Sequence, residues 1–415
     1  MLQILSTSNE TSTGAELVQN GNFSEIGSDL VTNGDFSAEG INLVDNPNFT
    51  DTGSELITNG DFATDTDWVK EGLWEISGGS ANRVAEGVNS RFYQVGVVEA
   101  LKSYKLTFTI SAISAGAINQ VTLGGVGISG TWNTAETFTL YFTTVNTASC
   151  SITGDATFAG SIDNVSVKEL GADWTLGTGW SIGDSKAIST LQSGSKYLTQ
   201  SSVVESGKSY KVSFEVIDYT SGSVKATVSG DEGEARTGIG TYTEILNATG
   251  TSFSIKNQSG LFIGSVSNIS VQELGEGWAV QDGWSIGEDK AICDGSTNNA
   301  ISQALSLPVG NIKVTFKVED FTSGDLNLWL NLPTFTNPLQ ADANGDYEVY
   351  VTTTSGANNL YFYSVAFIGS VTNITVQELD PNGYWTIGTG WSIGTDKAIS
   401  TVTGSNSDIT QSILT

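Results

Sequence analysis

The sequence predicts an all-β protein made of tandem two-sheet sandwiches. Three observations carry this. A unit of roughly a hundred residues is run through three times and begun a fourth. Inside each unit, short stretches alternate apolar and polar residues with the period of two that marks half-buried strands. The chain of 415 residues holds 48 Gly and 5 Pro, is rich in Ser and Thr, and lacks the Ala/Glu/Lys blocks that build long helices. About a hundred residues per unit, many short strands and turn-rich joins fit a pair of packed sheets. A chain this long can hold several separate cores.

The elements follow in order. Four copies of one phrase open the chain: ELVQNGNF at residues 16–23, DLVTNGDF at 29–36, NLVDNPNF at 42–49 and ELITNGDF at 55–62, each 13 residues after the last. These are too short to bury a core, and each offers a Leu, a Val or Ile and a Phe. Their apolar sides need a partner surface or sister chains. Residues 1–54 are therefore expected to anchor the protein, with Phe23, Phe36, Phe49 and Phe62 as anchoring residues; a disordered linker is the other reading.

The long unit opens with DWVKEGLWEISGGSA at 67–81, DWTLGTGWSIGDSKA at 173–187, GWAVQDGWSIGEDKA at 277–291 and YWTIGTGWSIGTDKA at 384–398. Its middle is YKLTFTI at 104–110, YKVSFEV at 210–216 and IKVTFKV at 312–318, and it closes with FAGSIDNVSVKEL, FIGSVSNISVQEL and FIGSVTNITVQEL. This places module 1 at 55–170, module 2 at 171–275, module 3 at 276–381 and the start of an incomplete fourth at 382–415. Residues 384–415 follow 173 onward at a constant offset of 211, so the fourth unit stops before the strands equivalent to 210–216 and 266–274. Half a sandwich exposes several large apolar side chains, at a cost of several kcal/mol, so the native chain is expected to be longer.

Chemistry is bounded by what is missing. With no histidine, the commonest general base and metal ligand are gone. No phosphate loop, dinucleotide fingerprint or CxxC occurs. Paired carboxylates could serve a glycosidase, but the acids that recur, Glu169, Glu273 and Glu378, lie in the closing strand just before a linker. No enzyme is expected. The net charge of −28 repels a phosphate backbone, so no nucleic-acid partner is expected. The acids keep strand edges apart, or alternatively collect divalent cations. Cys150 and Cys293 fall at non-equivalent points of different modules and read as small buried hydrophobes. Neither a signal peptide nor a membrane-spanning stretch is visible, so export and membrane insertion are not expected.

Two constellations remain as candidate binding sites. Eight of ten tryptophans form pairs, Trp68/Trp74, Trp174/Trp180, Trp278/Trp284 and Trp385/Trp391; a pair in every module suits a core role, with glycan stacking as the rival. Trp329 stands apart. In DLNLWLNL, Leu326, Leu328 and Leu330 take the inner face, which sets Trp329 outside between Asn327 and Asn331. There it stacks on a sugar whose hydroxyls the amides bond, or it makes an inter-subunit contact. Separately, Asn59 and Asp61 at the start of module 1 and Asp163 and Asn164 at its end can supply hard oxygens for Ca2+ if first and last strands lie side by side. Modules 2 and 3 have Ser267 and Thr372 in place of Asp163 and no phrase before them, so the site is expected in module 1 alone. The rival reading makes Asn-Gly-Asp a simple turn.

The succession L-V-x-N-G-D-F, W, G-W-S-I-G, Y-K-V-S-F, G-S-I-D-N-V-S-V resembles the carbohydrate-binding-module family, and more closely the tandem copies in tailed-phage fibre and virion structural proteins. The resemblance runs from residue 55 to the end. It implies jelly-roll, galactose-binding-like sandwiches, and a structural calcium drawn from the opening and closing segments, matching Asn59, Asp61 and Asp163. It also implies a trimeric virion fibre or decoration protein, held to capsid or tail proteins and facing host-surface glycans. Assembly in the host cytoplasm would need neither leader nor disulfide. The alternative is a secreted or cell-surface carbohydrate-binding protein of a bacterium.

Overall fold

The computed structural model describes residues 18–190, 194–258, 261–332, 334–353, 359–394, 396–401 and 407–412. The fold is all-β, as the alternation predicts: among the described residues every named element is a strand and every pairing is antiparallel. No helix is long and apolar enough to cross a membrane. The chain divides into two compact units, one of residues 39–273 and one of residues 1–38 with 274–415.

In the unit of residues 39–273, modules 1 and 2 are each a pair of sheets. Module 1 has one sheet in the order Val126–Trp132, Ile118–Leu123, Cys150–Gly154, Ser90–Gln94, Val69–Lys70. The facing sheet runs Thr137–Thr143, Ser103–Ala115, Ala159–Leu170, Ser80–Arg83, Trp74–Ser77. Module 2 repeats this, with Ser209–Ser221 and Ile263–Leu274 as the long central strands. Leu106, Phe108, Ile110, Val121, Leu123 and Ile152 of module 1 are almost completely buried, as are Val212, Phe214, Val216, Ala226 and Ile255 of module 2. Their period of two is the one read in the sequence.

In the other unit, module 3 keeps the same strand neighbours, but Gly310–Leu332 and Asn359–Leu379 run unbroken from one layer into the other, making one continuous sheet. Module 4 is represented by two strand pairs, Thr386–Ile387 with Ile409–Thr410 and Trp391–Gly394 with Lys397–Ser400. These are the opening pairs of the repeat; its central strands have no counterpart among the described residues.

The first and second tryptophans of modules 1 to 3 are all buried. Trp74 stacks on Phe158 and Trp284 on Phe367, with centroids 5.7 and 6.3 Å apart. The recurring aromatics Trp132, Tyr242 and Tyr347 likewise lie against Phe108, Phe214 and Phe316. Both are core roles. Cys150 and Cys293 are free and buried, and burial pushes the Cys150 thiol up to about 12.

The N-terminal phrases overturn the expected anchor. Phe36, Phe49 and Phe62 are each 1% exposed, because each sits in the core of a module of the same chain. Strand Thr52–Glu55 pairs with the closing strand Ala159–Leu170 of module 1. Strand Glu39–Asn42 extends the same sheet of module 2 along Ile263–Leu274, and Ile26–Asp29 pairs with Asn359–Leu379 of module 3. Residues 26–54 are thus not a separate segment but a strap contributing one strand to each of three modules. The apolar sides left for a partner are covered from within. Residues 1–17, including Glu16 and Leu17 of the first phrase, lie outside the described residues.

Candidate functional site

The strap docks in reverse: the fourth phrase enters module 1, the third module 2, the second module 3 and the first module 4. The fourth is already in place when module 1 begins. The other three reach modules that have no phrase of their own in front.

Each phrase is held by the same parts. Its Asn (20, 33, 46, 59) and Phe (23, 36, 49, 62) all adopt positive φ, between 46° and 57°, and the Phe N–H donates to the Asn carbonyl at 3.0–3.2 Å. This turn throws the Phe ring inward. There it meets the first tryptophan of the module, with centroids 5.4 Å apart for Phe62–Trp68, 5.3 Å for Phe49–Trp174, 5.1 Å for Phe36–Trp278 and 5.0 Å for Phe23–Trp385. The indole N–H of Trp68, Trp278 and Trp385 donates to the phrase Asn carbonyl at 3.0, 3.1 and 3.0 Å.

A glutamine on the next strand clamps the residue before the Asn, accepting from its N–H and donating to its C=O. The pairs are Gln94 with Thr58 (3.0 and 2.9 Å), Gln200 with Asp45 (2.9 and 3.1 Å), Gln303 with Thr32 (2.9 and 2.9 Å) and Gln411 with Gln19 (2.9 and 2.8 Å). No sequence argument singled these glutamines out, though they recur in SRFYQ, KYLTQ, AISQ and DITQ.

The closing strand supplies the rest. Its Asn164, Asn268 and Asn373 are left-handed, at φ 53°, 51° and 52°, and the strand bulges there. The bulge turns the next N–H toward the phrase: Val165 donates to Gly60 O at 2.9 Å, Ile374 to Gly34 O at 2.9 Å, and Ile269 to Pro47 O at 3.2 Å. A Cβ on Gly34 or Gly60 would lie 2.0 Å from Ile374 O or Val165 O, so Gly is demanded by close approach. Two residues on, Val167, Val271 and Val376 donate to the first side chain of the phrase, Glu55, Asn42 and Asp29, each at 2.9 Å. Their carbonyls accept from Leu56, Leu43 and Leu30.

These contacts give the calcium candidates other partners. The opening and closing segments of module 1 do lie side by side, but their polar atoms serve the turn and strand. Asn59 accepts from Thr64 N–H at 3.2 Å and donates to the carbonyls of Thr64 and Thr66; Asp61 accepts from Ala63 N–H at 3.3 Å and Asp163 from Asn164 N–H at 2.7 Å. Asn164 forms the bulge. Among the described residues no group of three or more acidic, Cys or His side chains could hold a metal. Modules 2 and 3 also receive phrases, so the premise that only module 1 has one does not hold. The carbonyls of Val88, Asp155 and Phe158 in module 1 instead receive a cation from the chain, the buried Arg83 guanidinium, at 2.7, 2.6 and 3.1 Å. Arg83 also pairs with Glu86 at 2.8 Å; bonds from Ser90 and from Arg83 hold the Glu86 carboxyl below its usual range.

The glycan candidates lie on the outer face of module 3. Leu326, Leu328 and Leu330 are fully buried, which puts Trp329 on the opposite face. It is half-buried there and stacks parallel to Tyr363, with centroids 4.2 Å apart and 8° between planes. Asn327 is buried rather than displayed, since its strand runs between Tyr363 and the exposed Gln340, its register partners. The side chain of Asn331 is outside the described set. The same face differs in the other modules. In module 2, Glu232 joins Lys225 and Lys256, with Lys256 over Tyr197 at 5.6 Å. In module 1, Arg91 lies over Tyr93 at 4.8 Å and pairs with Glu71.

No protein-family model and no curated protein matches the chain. Among solved structures, it is similar to the tandem CBM22 domains of Paenibacillus barcinonensis Xyn10C, at 11% identity over 54% of this chain and 99% of that one, TM-score 0.25. It is also similar to the triple jelly roll and turret assembly protein of an archaeal virus, at 10% identity over 75% of this chain and 90% of that one, TM-score 0.16. A third is the M60 catalytic domain with two CBM51 domains from Clostridium perfringens ZmpB, at 8% identity over 72% of this chain and 34% of that one, TM-score 0.18.

Proposed function

We propose that this protein is a non-catalytic structural protein of a phage virion, a fibre or decoration protein that presents strapped β-sandwich modules to host-surface glycans. The observation that carries the reading is the strap. One N-terminal segment completes module after module, tying modules 1 and 2 by a second chain crossing besides their linker, an arrangement suited to bearing load. Its buried phenylalanines are unavailable for anchoring, so attachment to capsid or tail proteins, and trimerisation, use other surfaces.

Support for glycan contact comes from internal comparison. The cores of modules 1 to 3 and their phrase grooves are built from the same parts, while the outer face changes from Arg91/Tyr93 to the Lys225/Glu232/Lys256 cluster to Trp329/Tyr363. Module-specific contact belongs on the surface that differs. A pyranose packs against the half-buried Trp329 indole, with the exposed Gln340 bonding a hydroxyl. Binding of the full chain to host surface polysaccharide, compared with Trp329→Ala, tests this. Weaker binding at unchanged melting is expected; unchanged binding removes the site.

A further inference from the structure

The grooves of modules 1 and 3 demand Gly after the phrase Asn, the module 2 groove admits Pro47, and otherwise the grooves read mainly what the phrases share. Two of the positions that vary between phrases are Gln19, Thr32, Asp45, Thr58 in the clamp, and Asn22, Asp35, Asn48, Asp61 before the Phe. All eight of these side chains are exposed. The glutamine clamp grips main chain only, and the tryptophan takes a Phe ring and, in modules 1, 3 and 4, a main-chain carbonyl. The closing strand bonds backbone plus one acidic or amide oxygen, with Asn42 also donating to Ile269 O at 3.0 Å in module 2. A module-specific contact does exist just outside the phrase, Glu39 with Lys211 at 2.5 Å, but both partners are more than a third exposed. Among the phrases that carry Gly after the Asn, what assigns a phrase to a module is therefore its tether. The tether weakens with distance. Phe62 and Trp68 are 6 residues apart, Phe23 and Trp385 are 362, and closure entropy grows with that length.

We infer that the grooves of modules 1 and 3 are interchangeable receptors for an L-[V/I]-x-N-G-[D/N]-F segment, and that such a phrase from a second copy of this chain seats in them as its own does. The strap is then an exchange element: one chain's phrase completes a neighbour's module, main chain to main chain, in the manner of strand addition.

The test uses the full chain with Phe36→Ala, which weakens the second phrase and leaves the module 3 groove intact. Synthetic peptides of residues 26–38, 39–51 and 52–64 are added during refolding, and module 3 melting is followed by Trp278 fluorescence. Peptides 26–38 and 52–64 are expected to restore it. Their Phe→Ala forms are not, nor is peptide 39–51, whose Pro47 stands where a Cβ would lie 2.0 Å from Ile374 O. Rescue by residues 26–38 alone, or by no peptide, overturns interchangeability. Refolding the Phe36→Ala chain together with a Trp278→Ala chain tests the second copy, since one then has a free groove and the other a free phrase. A mixed complex that neither forms alone is expected; its absence despite peptide rescue overturns exchange between copies. Should Phe36→Ala not fold, exchanging residues 29–36 with 55–62 in an otherwise intact chain decides the first point: unchanged melting supports it, lost melting refutes it.

Discussion

At the residue scale, Asn59 and Asp61 shape backbone in this structure. Asn59 and Asp61 have the chemistry of calcium ligands, and nothing in their identity separates that use from holding a turn; the difference is made by the N–H groups that fold places beside them. Phenylalanine at positive φ costs about 1–3 kcal/mol, and it persists because the ring is buried against tryptophan. Phe49→Ala should therefore destabilise module 2 by about 3–5 kcal/mol, read as an earlier melt of Trp174 and Trp180 emission with module 1 unchanged. Removing the clamp by Gln200→Ala should cost about 1–3 kcal/mol, since Asp45 N–H and C=O lose their partner. Glu86 gives a pH signature. Its folded pKa lies below its model-peptide value of 4.5, so the stability it adds is complete above that value and drains as pH falls through the lower folded one. In Glu86→Gln, the melting of module 1 should fall less steeply as pH drops below the usual glutamate value; an unchanged slope would show that the pair with Arg83 contributes nothing.

At the element scale, the strands were legible and their assignment to modules was not. The alternation in YKLTFTI, YKVSFEV and IKVTFKV places every central strand on its correct face. The phrases carry no comparable information about their destination, because pairing across hundreds of residues leaves no local period. A countable signal did exist: four phrases stand ahead of four module openings, and only module 1 has one directly before it. The Asn-bulge of the closing strand was visible as DNVSV, SNISV and TNITV, but its purpose appears only with Gly60 or Gly34 across from it. Deleting residues 1–50 now has a different expected outcome from the loss of an anchor. Module 1 keeps Ile57 and Phe62 and stays folded, whereas modules 2 and 3 lose a strand and two buried side chains each. Limited proteolysis should spare residues 55–170 and attack those beyond 171; equal resistance throughout would mean that the strap is dispensable.

At the scale of the whole molecule, one N-terminal segment and a row of modules are mutually dependent, so the chain is covalently linear but not modular in the sense of separable domains. A protease site inserted at Ala172 and cut in the folded protein should yield fragments that stay together under native conditions and part only in denaturant, because phrases on one fragment complete modules on the other. The central claim, that phrases complete modules in reverse order, is tested most directly by amide hydrogen exchange on Phe36→Ala beside the wild-type chain. Faster exchange confined to the second phrase and residues 276–381 is the outcome this architecture requires; faster exchange in residues 55–170, the module next in sequence, with module 3 unaltered, would contradict it.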